Sequence, residues 1–360
     1  MSAVRVAQVC PYSLSIPGGV QSQVLGLARA LRALGHETCV LAPCDGDPPD
    51  DDVIPLGASL SLASNGSIAP IAPDPACALR TLNAIERGRF DVIHLHEPLV
   101  PGPTLSVLLA GLGPVVGTFH RCGKTRAYSV LGPIVRRLAS HLDRRCAVSP
   151  DARSTVAAAL GGEYVLVPNG IEIDRFAEAP PWPTEGPTIF FVGRHEPRKG
   201  LSVLLDAVRL LPPETRLWVA GTGPETAALR QRTAHVPGVE WLGPIDDAEK
   251  ASRLRGADVL CAPSVGGESF GVVLLEAMAA RTAIVATELP AYRAVARSEV
   301  DAVLVPGDNP CALAGALRRV LFQDNLAGRL IGAGVARAEE FSMDRMARRY
   351  LELYSDLLDR

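Results

Sequence analysis

Thr188-Ile189-Phe190-Phe191-Val192-Gly193-Arg194-His195-Glu196-Pro197-Arg198-Lys199-Gly200 decides how this chain is divided. An apolar run rich in strand formers enters a loop bounded by two glycines, and the helical pattern Leu201–Leu210 follows. That is the strand–loop–helix unit of an α/β sheet. It comes after a lapse: periodicity stops around Asn169–Glu185, where Pro180-Pro181-Trp182-Pro183 reads as a stiff linker. The alternation therefore starts twice. A chain of 360 residues has room for two such domains.

Before the lapse, strands are expected at Val4–Val9, Thr38–Leu41, Val53–Leu56, Asp91–Leu95, Val115–Phe119, Arg145–Val148 and Tyr164–Val167. Helices are expected at Val20–Leu34, Ala76–Ile85, Ser129–Leu142 and Pro150–Ala159. Several strands are almost wholly apolar, as in parallel sheets covered on both faces. After Thr188–Val192 the pattern continues with strands at Arg216–Ala220, Val239–Leu242, Val259–Ala262, Ala283–Ala286 and Ala302–Leu304. Its helices are Leu201–Leu210, Pro224–Thr233, Asp246–Gly256, Val272–Ala280 and Cys311–Phe322, with an amphipathic Met343–Leu358 last. The stretch 59–75, rich in small residues and proline, reads as a loop.

Composition excludes several classes. Lys plus Arg is 36 and Asp plus Glu 39, so the formal charge of −3 argues against a nucleic-acid-coating protein. The apolar stretch Leu105–Val116 is too short and too interrupted to span a bilayer. Eight cysteines, none in a C-x-x-C pair, point to a reducing compartment, and Val4–Val9 reads as a strand, not a signal peptide. Cytoplasmic residence is the expectation, with peripheral contact at the inner face of the plasma membrane left open. Arg136, Arg137, Arg144 and Arg145 form a basic cluster, either a solvated helix face or a contact for an anionic surface.

Four features carry chemistry. Glu268 and Glu276 stand eight positions apart across the Phe270-Gly271 break that opens the helix Val272–Ala280. Free N–H groups at such a helix start attract an anion, and flanking carboxylates accept hydrogen bonds from sugar hydroxyls. The loop Gly193–Gly200 offers Arg194, Arg198 and Lys199; Arg194 and Lys199 are the candidates for a diphosphate, with Arg198 at the surface or in support. Gly18-Gly19 sits at the strand-to-helix turn where ligands approach backbone, although tight-turn duty explains it equally. His96 and Glu97 end one strand and His120 the next, over one crevice. Zinc is a weak reading of that trio, and His120 fits a hydrogen bond to a substrate hydroxyl better.

Taken together, Pro17-Gly18-Gly19-Val20, Thr118-Phe119-His120, Val167-Pro168-Asn169-Gly170-Ile171, the Gly193–Gly200 loop, Gly221-Thr222-Gly223-Pro224 and the Glu268/Glu276 pair resemble the retaining glycosyltransferases of family 4. Pro11-Tyr12-Ser13, Leu95-His96-Glu97-Pro98 and Glu196-Pro197-Arg198-Lys199-Gly200 are similar to the actinobacterial phosphatidylinositol mannosyltransferases. The resemblance implies the GT-B fold, two doubly wound Rossmann-like domains facing across a cleft. The expected divisions are an acceptor-side domain at 1–170, a linker at 171–187 and a nucleotide-sugar domain at 188–340. A C-terminal helix at 341–360 is expected to pack back on the first.

The resemblance also implies roles. Gly18 and Gly19 lie against the donor diphosphate and Gly19 against the acceptor. His120 touches the transferred sugar, Arg194 and Lys199 hold the diphosphate, and Glu268 binds hexose hydroxyls. Phe270 and Gly271 offer backbone N–H groups, and Glu276 binds the ribose. Tyr12, Gly19, His96, Glu97, Arg121 and Lys124 are the acceptor-side candidates. The segment Ile68–Asp74 carries no basic residue, so an inositol phosphate would look to Arg121, Lys124 and Arg126. His120, Arg194, Lys199 and Glu268 are the catalytic set. The implied reaction is retaining transfer of a hexose, mannose from GDP-mannose favoured, to an inositol phospholipid, with a nucleoside diphosphate sugar as donor and no metal or cofactor required. The alternatives are a soluble inositol phosphate or polysaccharide acceptor with another donor, an epimerase of similar build, an oxidoreductase, and a nucleotide-sugar-binding protein without turnover.

Overall fold

The apolar strands assemble into two parallel sheets, each in its own unit. The computed structural model describes residues 3–64, 67–122 and 132–359; one unit comprises Met1–Gly170 with Met343–Arg360, the other Ile171–Ser342.

The first unit contains β1 (Arg5–Val9), β2 (Glu37–Ala42), β3 (Val53–Pro55), β4 (Leu60–Ser64), β5 (Ser67–Ile71), β6 (Val92–His96), β7 (Val115–Phe119), β8 (Arg144–Ala147) and β9 (Val165–Leu166). The sheet order is β3-β2-β1-β6-β7-β8-β9, so β1 lies where the strand order reverses. In open α/β sheets ligands bind over the strand ends at that point. β6 and β7 are buried along their whole length, which is why they read as apolar runs. The final helix, Met343–Leu358, belongs to this unit. Its Met346, Tyr350, Leu351 and Tyr354 pack with Val6, Leu27, Val92 and Val116.

The second unit contains β10 (Thr188–Val192), β11 (Arg216–Ala220), β12 (Val239–Gly243), β13 (Val259–Ala262), β14 (Ala283–Thr287) and β15 (Val303–Val305), in the order β12-β11-β10-β13-β14-β15. Here β10 is the reversal strand, and the Gly193–Gly200 loop leaves its C-terminal end. Helix starts are punctuated as their sequences suggest: Asp74, Ser149, Asp246 and Asn309 each accept a bond from the backbone N–H three residues on.

Several expectations are corrected. Residues 59–75 are not simply a loop: β4 and β5 pair antiparallel in a hairpin. The stretch 171–187 lies inside the second unit and carries a short helix, Ile173–Ala177. Its proline-rich part is pinned: Trp182 N donates to Ser252 O at 3.0 Å, and the Arg253 guanidinium sits 4.0 Å from the Trp182 ring and 4.6 Å from that of Trp218. Pro103–Ala110 is a helix, apolar on all sides and so without visible periodicity. Leu326–Glu340 is another, masked by three glycines. One of these has a packing reason, since a Cβ on Gly334 would press on Met278 Cγ at 3.2 Å. Of the helix expected at Ser129–Leu142, Gly132–Ala139 is seen; Lys124 and Arg126 lie outside the described residues. Among the described residues no helix is long and apolar enough to cross a membrane.

Candidate active site

The basic loop of the second unit is held in shape by carboxylates. Beyond β10 the chain turns through Pro197–Lys199 and stops at Gly200, φ 65°, where a Cβ would strike Pro263 O at 2.0 Å. Only glycine fits there. Glu196, 3% exposed, bridges the loop: Arg194 Nε donates to its Oε1 at 2.6 Å and Arg198 Nε to its Oε2 at 2.9 Å. Arg198 is therefore a structural tie as well as a surface cation, and its Nη1 also reaches Gly267 O at 3.2 Å.

Lys199 crosses to the other loop. Its Nζ lies 2.6 Å from Glu268 Oε1, which also accepts from Ser264 Oγ at 2.7 Å, and Tyr292 OH donates to that serine at 3.1 Å. Burial pushes the Glu268 carboxyl up, but Lys199, Ser264 and Arg198 more than offset it and hold it below the ordinary range. Three cations thus face two carboxylates, a net positive charge beside a helix start. That start is shaped by Gly271, φ 94°, where a Cβ would meet Tyr292 Cδ1 at 2.7 Å. Phe270 is buried, its ring edge-on against Phe341.

Glu276 is engaged separately. It is half a helix deeper and accepts from Lys250 Nζ at 2.8 Å. Lys250 also contacts Asp247 Oδ1 at 3.3 Å; burial would lower its pKa, but Glu276 and Asp247 raise it. The reading from sequence missed Glu196, Ser264, Tyr292 and Lys250. Lys250 and Tyr292 come from other helices than the motifs they support, whereas Glu196 lies inside the basic loop itself and Ser264 four positions before Glu268.

In the first unit, Gly18 caps the helix Gly19–Ala33 with extended backbone, and a Cβ there would meet Gln21 Oε1 at 2.3 Å. A Cβ on Gly19 would meet nothing within 4 Å, so protein packing does not require glycine at that position. Gln21 donates to Ser13 O and Ile16 O, holding the loop that carries Tyr12. Tyr12 bridges to Ile71 of the hairpin. Gln23 exchanges two hydrogen bonds with the backbone of Gly170 at 2.8 and 2.9 Å, fixing the segment after Asn169.

His96 and Glu97, expected at the acceptor, are 1% exposed and sit beneath His120. Glu97, in a left-handed turn at φ 53°, accepts from His120 N at 2.7 Å and is drawn into shaping the 119–121 turn. Its burial pushes its pKa up to about 7 against the pull of Arg121 and two backbone amides. His96 Nδ1 meets His120 Nε2 at 3.0 Å, and His96 Nε2 meets Gln8 Oε1 at 2.7 Å. Burial lowers the His120 pKa to about 4; Asn169, beside the ring but not closing a bond to Nδ1, only partly opposes it. One contact joins the two histidine rings and His96 spends its other nitrogen on Gln8, and among the described residues no group of three or more His, Cys, Asp or Glu side chains is arranged to hold a metal ion. The basic cluster is dispersed in use: Arg136 and Arg137 are exposed, while Arg145 donates to Gly161 O and lies over Tyr164.

Residues 17–175 match the family described as Glycosyltransferase Family 4, and residues 186–323 that described as Glycosyl transferases group 1. A phosphatidyl-myo-inositol mannosyltransferase of Mycobacterium leprae is 40% identical over 360 residues, covering 98% of this chain and 96% of that protein. The same-named protein of Mycolicibacterium smegmatis is 40% identical over 361 residues, covering 98% and 93%. Among solved structures, sucrose-phosphate synthase from Thermosynechococcus elongatus matches with a TM-score of 0.79 at 21% identity over 99% of each chain, a likeness of fold.

Proposed function

The chain belongs to glycosyltransferase family 4 of the GT-B fold, closely related to the actinobacterial phosphatidylinositol mannosyltransferases, and from that premise we propose that it moves mannose from GDP-mannose to an inositol phospholipid with retained configuration. It is a hexosyltransferase that uses a nucleoside diphosphate sugar. The observation that carries the donor assignment is the Lys199–Glu268 contact beside the Gly271 helix start, where cations and a hydroxyl acceptor adjoin free backbone N–H groups.

In the proposed step the bond from the sugar C1 to the diphosphate oxygen breaks and its electron pair stays on the diphosphate. The acceptor oxygen bonds to C1 on the same face, and its proton passes to the departing diphosphate oxygen. Arg194, Lys199 and the Gly271 amide offset the charge that grows on the leaving group; a unit charge pair at 4 Å is worth about 4 kcal/mol at an effective dielectric of 20. Glu97 supports no covalent intermediate in this reading, because its carboxylate is committed to the His120 backbone. His120 takes a hydroxyl of the hexose, Glu268 others, and Glu276 the ribose. Arg121 and the exposed Arg136 and Arg137 supply the cations for an anionic acceptor and its membrane.

Purified protein incubated with GDP-mannose and phosphatidylinositol tests the reading. A mannolipid with an α linkage and stoichiometric GDP is the expected outcome. Transfer to inositol phosphate but not to the lipid would move the acceptor into solution, and no turnover with any NDP-hexose would overturn the assignment.

A further inference from the structure

One polar stripe in the first unit has no place in a sheet otherwise packed with Val, Ile and Leu. Gln8 of β1 pairs in register with His94 of β6, and His96 of β6 with Thr118 of β7, so their side chains share a face. That face is covered by the C-terminal helix, which adds Tyr350 and Tyr354. All are buried, and a buried polar group without a partner costs about 1–3 kcal/mol. The stripe escapes that cost by forming one continuous chain. Tyr350 OH meets Thr118 Oγ1 at 2.9 Å, and Thr118 Oγ1 meets His94 Nε2 at 2.7 Å. His94 Nδ1 meets Tyr354 OH at 2.7 Å, and Gln8 Nε2 donates to the same hydroxyl at 3.5 Å. Gln8 Oε1 then meets His96 Nε2, whose ring passes the chain to His120.

We propose that Gln8, held by Tyr354 and acting through His96, is a positioning residue that fixes which nitrogen of His120 carries the proton. The logic is one of donors and acceptors. A neutral imidazole has one of each. The Gln8 carbonyl can only accept, so His96 carries its proton on Nε2 and presents Nδ1 as an acceptor. His120 must then donate from Nε2, which leaves its Nδ1 as a bare lone pair. That Nδ1 is buried and closes no hydrogen bond among the described residues, with the Asn169 side chain standing beside the ring. Burial keeps all three rings uncharged, so no spare proton blurs the pattern. At the other end the Gln8 amide nitrogen donates to the Tyr354 hydroxyl, which keeps that nitrogen on its own side. Turning that amide over would reverse every proton in the chain, and His120 would offer N–H instead of a lone pair.

The consequence rests on the reading above that His120 meets the transferred hexose: His120 accepts a hydrogen bond from a sugar O–H and does not donate to a sugar oxygen. Tyr354, on the last helix of the chain, acts on that contact without touching it. The chain also explains why a stretch of polar residues interrupts β1, β6 and β7 on one face only.

The test reads the tautomer directly in the ligand-free protein. Long-range proton–nitrogen NMR on protein labelled with ¹⁵N-histidine is expected to show His120 protonated on Nε2 and bare on Nδ1. In Gln8→Leu or Tyr354→Phe the second tautomer is expected to appear, with turnover falling about tenfold and the KM for donor within about twofold, as for lost alignment. His120 protonated on Nδ1 in the wild type overturns the proposal, as does an unchanged tautomer in both variants. The wild-type spectrum decides even if a variant fails to fold. If the tautomer is as stated but His120→Ala transfers hexose normally, the relay stands and the role given to His120 falls.

Discussion

Lys199 and Glu268 come from loops 69 positions apart and meet at 2.6 Å, the ammonium of the one closing on the carboxylate of the other. The contact neutralises each before a ligand arrives and sets them side by side where a diphosphate and a hexose would join. A carboxylate so placed keeps the lysine extended toward the helix start without cancelling the cluster, because Arg194 and Arg198 share only Glu196 and a distant edge of Glu268.

The two glutamates are predicted to separate in binding. Glu276→Gln weakens the affinity for free GDP and, by leaving Lys250 with Asp247 alone, costs about 1–3 kcal/mol of stability. Glu268→Gln keeps GDP affinity and loses hexose positioning. Calorimetry with GDP checks this alongside a thermal melt, and affinity lost in the Glu268 variant but kept in the Glu276 variant would reverse the assignment.

Gly19→Ala is predicted to leave the melting temperature unchanged or slightly higher, since nothing lies within 4 Å of the added methyl and alanine favours the helix start. On the placement the family resemblance implies, turnover should nevertheless fall, because the methyl would intrude on substrate. Wild-type kinetics in this variant would mean that no ligand approaches Gly19.

Glu97 makes stability depend on pH in a definite direction. Its folded pKa is raised to about 7 by burial, so the folded protein holds the proton more tightly than the unfolded chain. Its contribution is complete below the unfolded value of 4.5 and is lost as pH rises to about 7. Relative to Glu97→Gln, the wild type should lose ground between those values and hold a constant difference above them. Melting curves of the pair across that range test it, and a pH-independent difference would show that Glu97 titrates normally.

Salt-sensitive association with vesicles is predicted, stronger for anionic than for neutral lipid. The exposed Arg136 and Arg137 can supply about 1 kcal/mol each near an anionic surface. Cosedimentation at low and moderate salt measures it. Equal, negligible binding to both vesicle types would favour a water-soluble acceptor.

The sequence displayed its strands plainly because both sheets are parallel and buried, so their runs are largely apolar, broken on one face of the first sheet by Gln8, His94, His96 and Thr118. It displayed the charged loops for a related reason: Arg194, Lys199 and Glu268 stand at strand ends flanked by glycines. What it hid was whatever depends on contact between distant segments. Lys250 and Tyr292 are ordinary residues of their helices until folding brings them to Glu276 and Ser264. His96 and Glu97 stood out as polar residues at a strand end, and the sequence did not show that they are buried beneath His120. The Leu326–Glu340 helix was obscured by three glycines, of which Gly334 is the one whose small size lets the helix approach Met278.

The clamp itself is the most direct test. Steady-state transfer from saturating GDP-mannose should fall about 10²-fold or more in Lys199→Ala and in Arg194→Ala, with the fold intact, because in the proposed step each loses a charge contact that strengthens as the diphosphate departs. Either variant turning over at the wild-type rate would contradict the placement of the diphosphate and, with it, the account of catalysis.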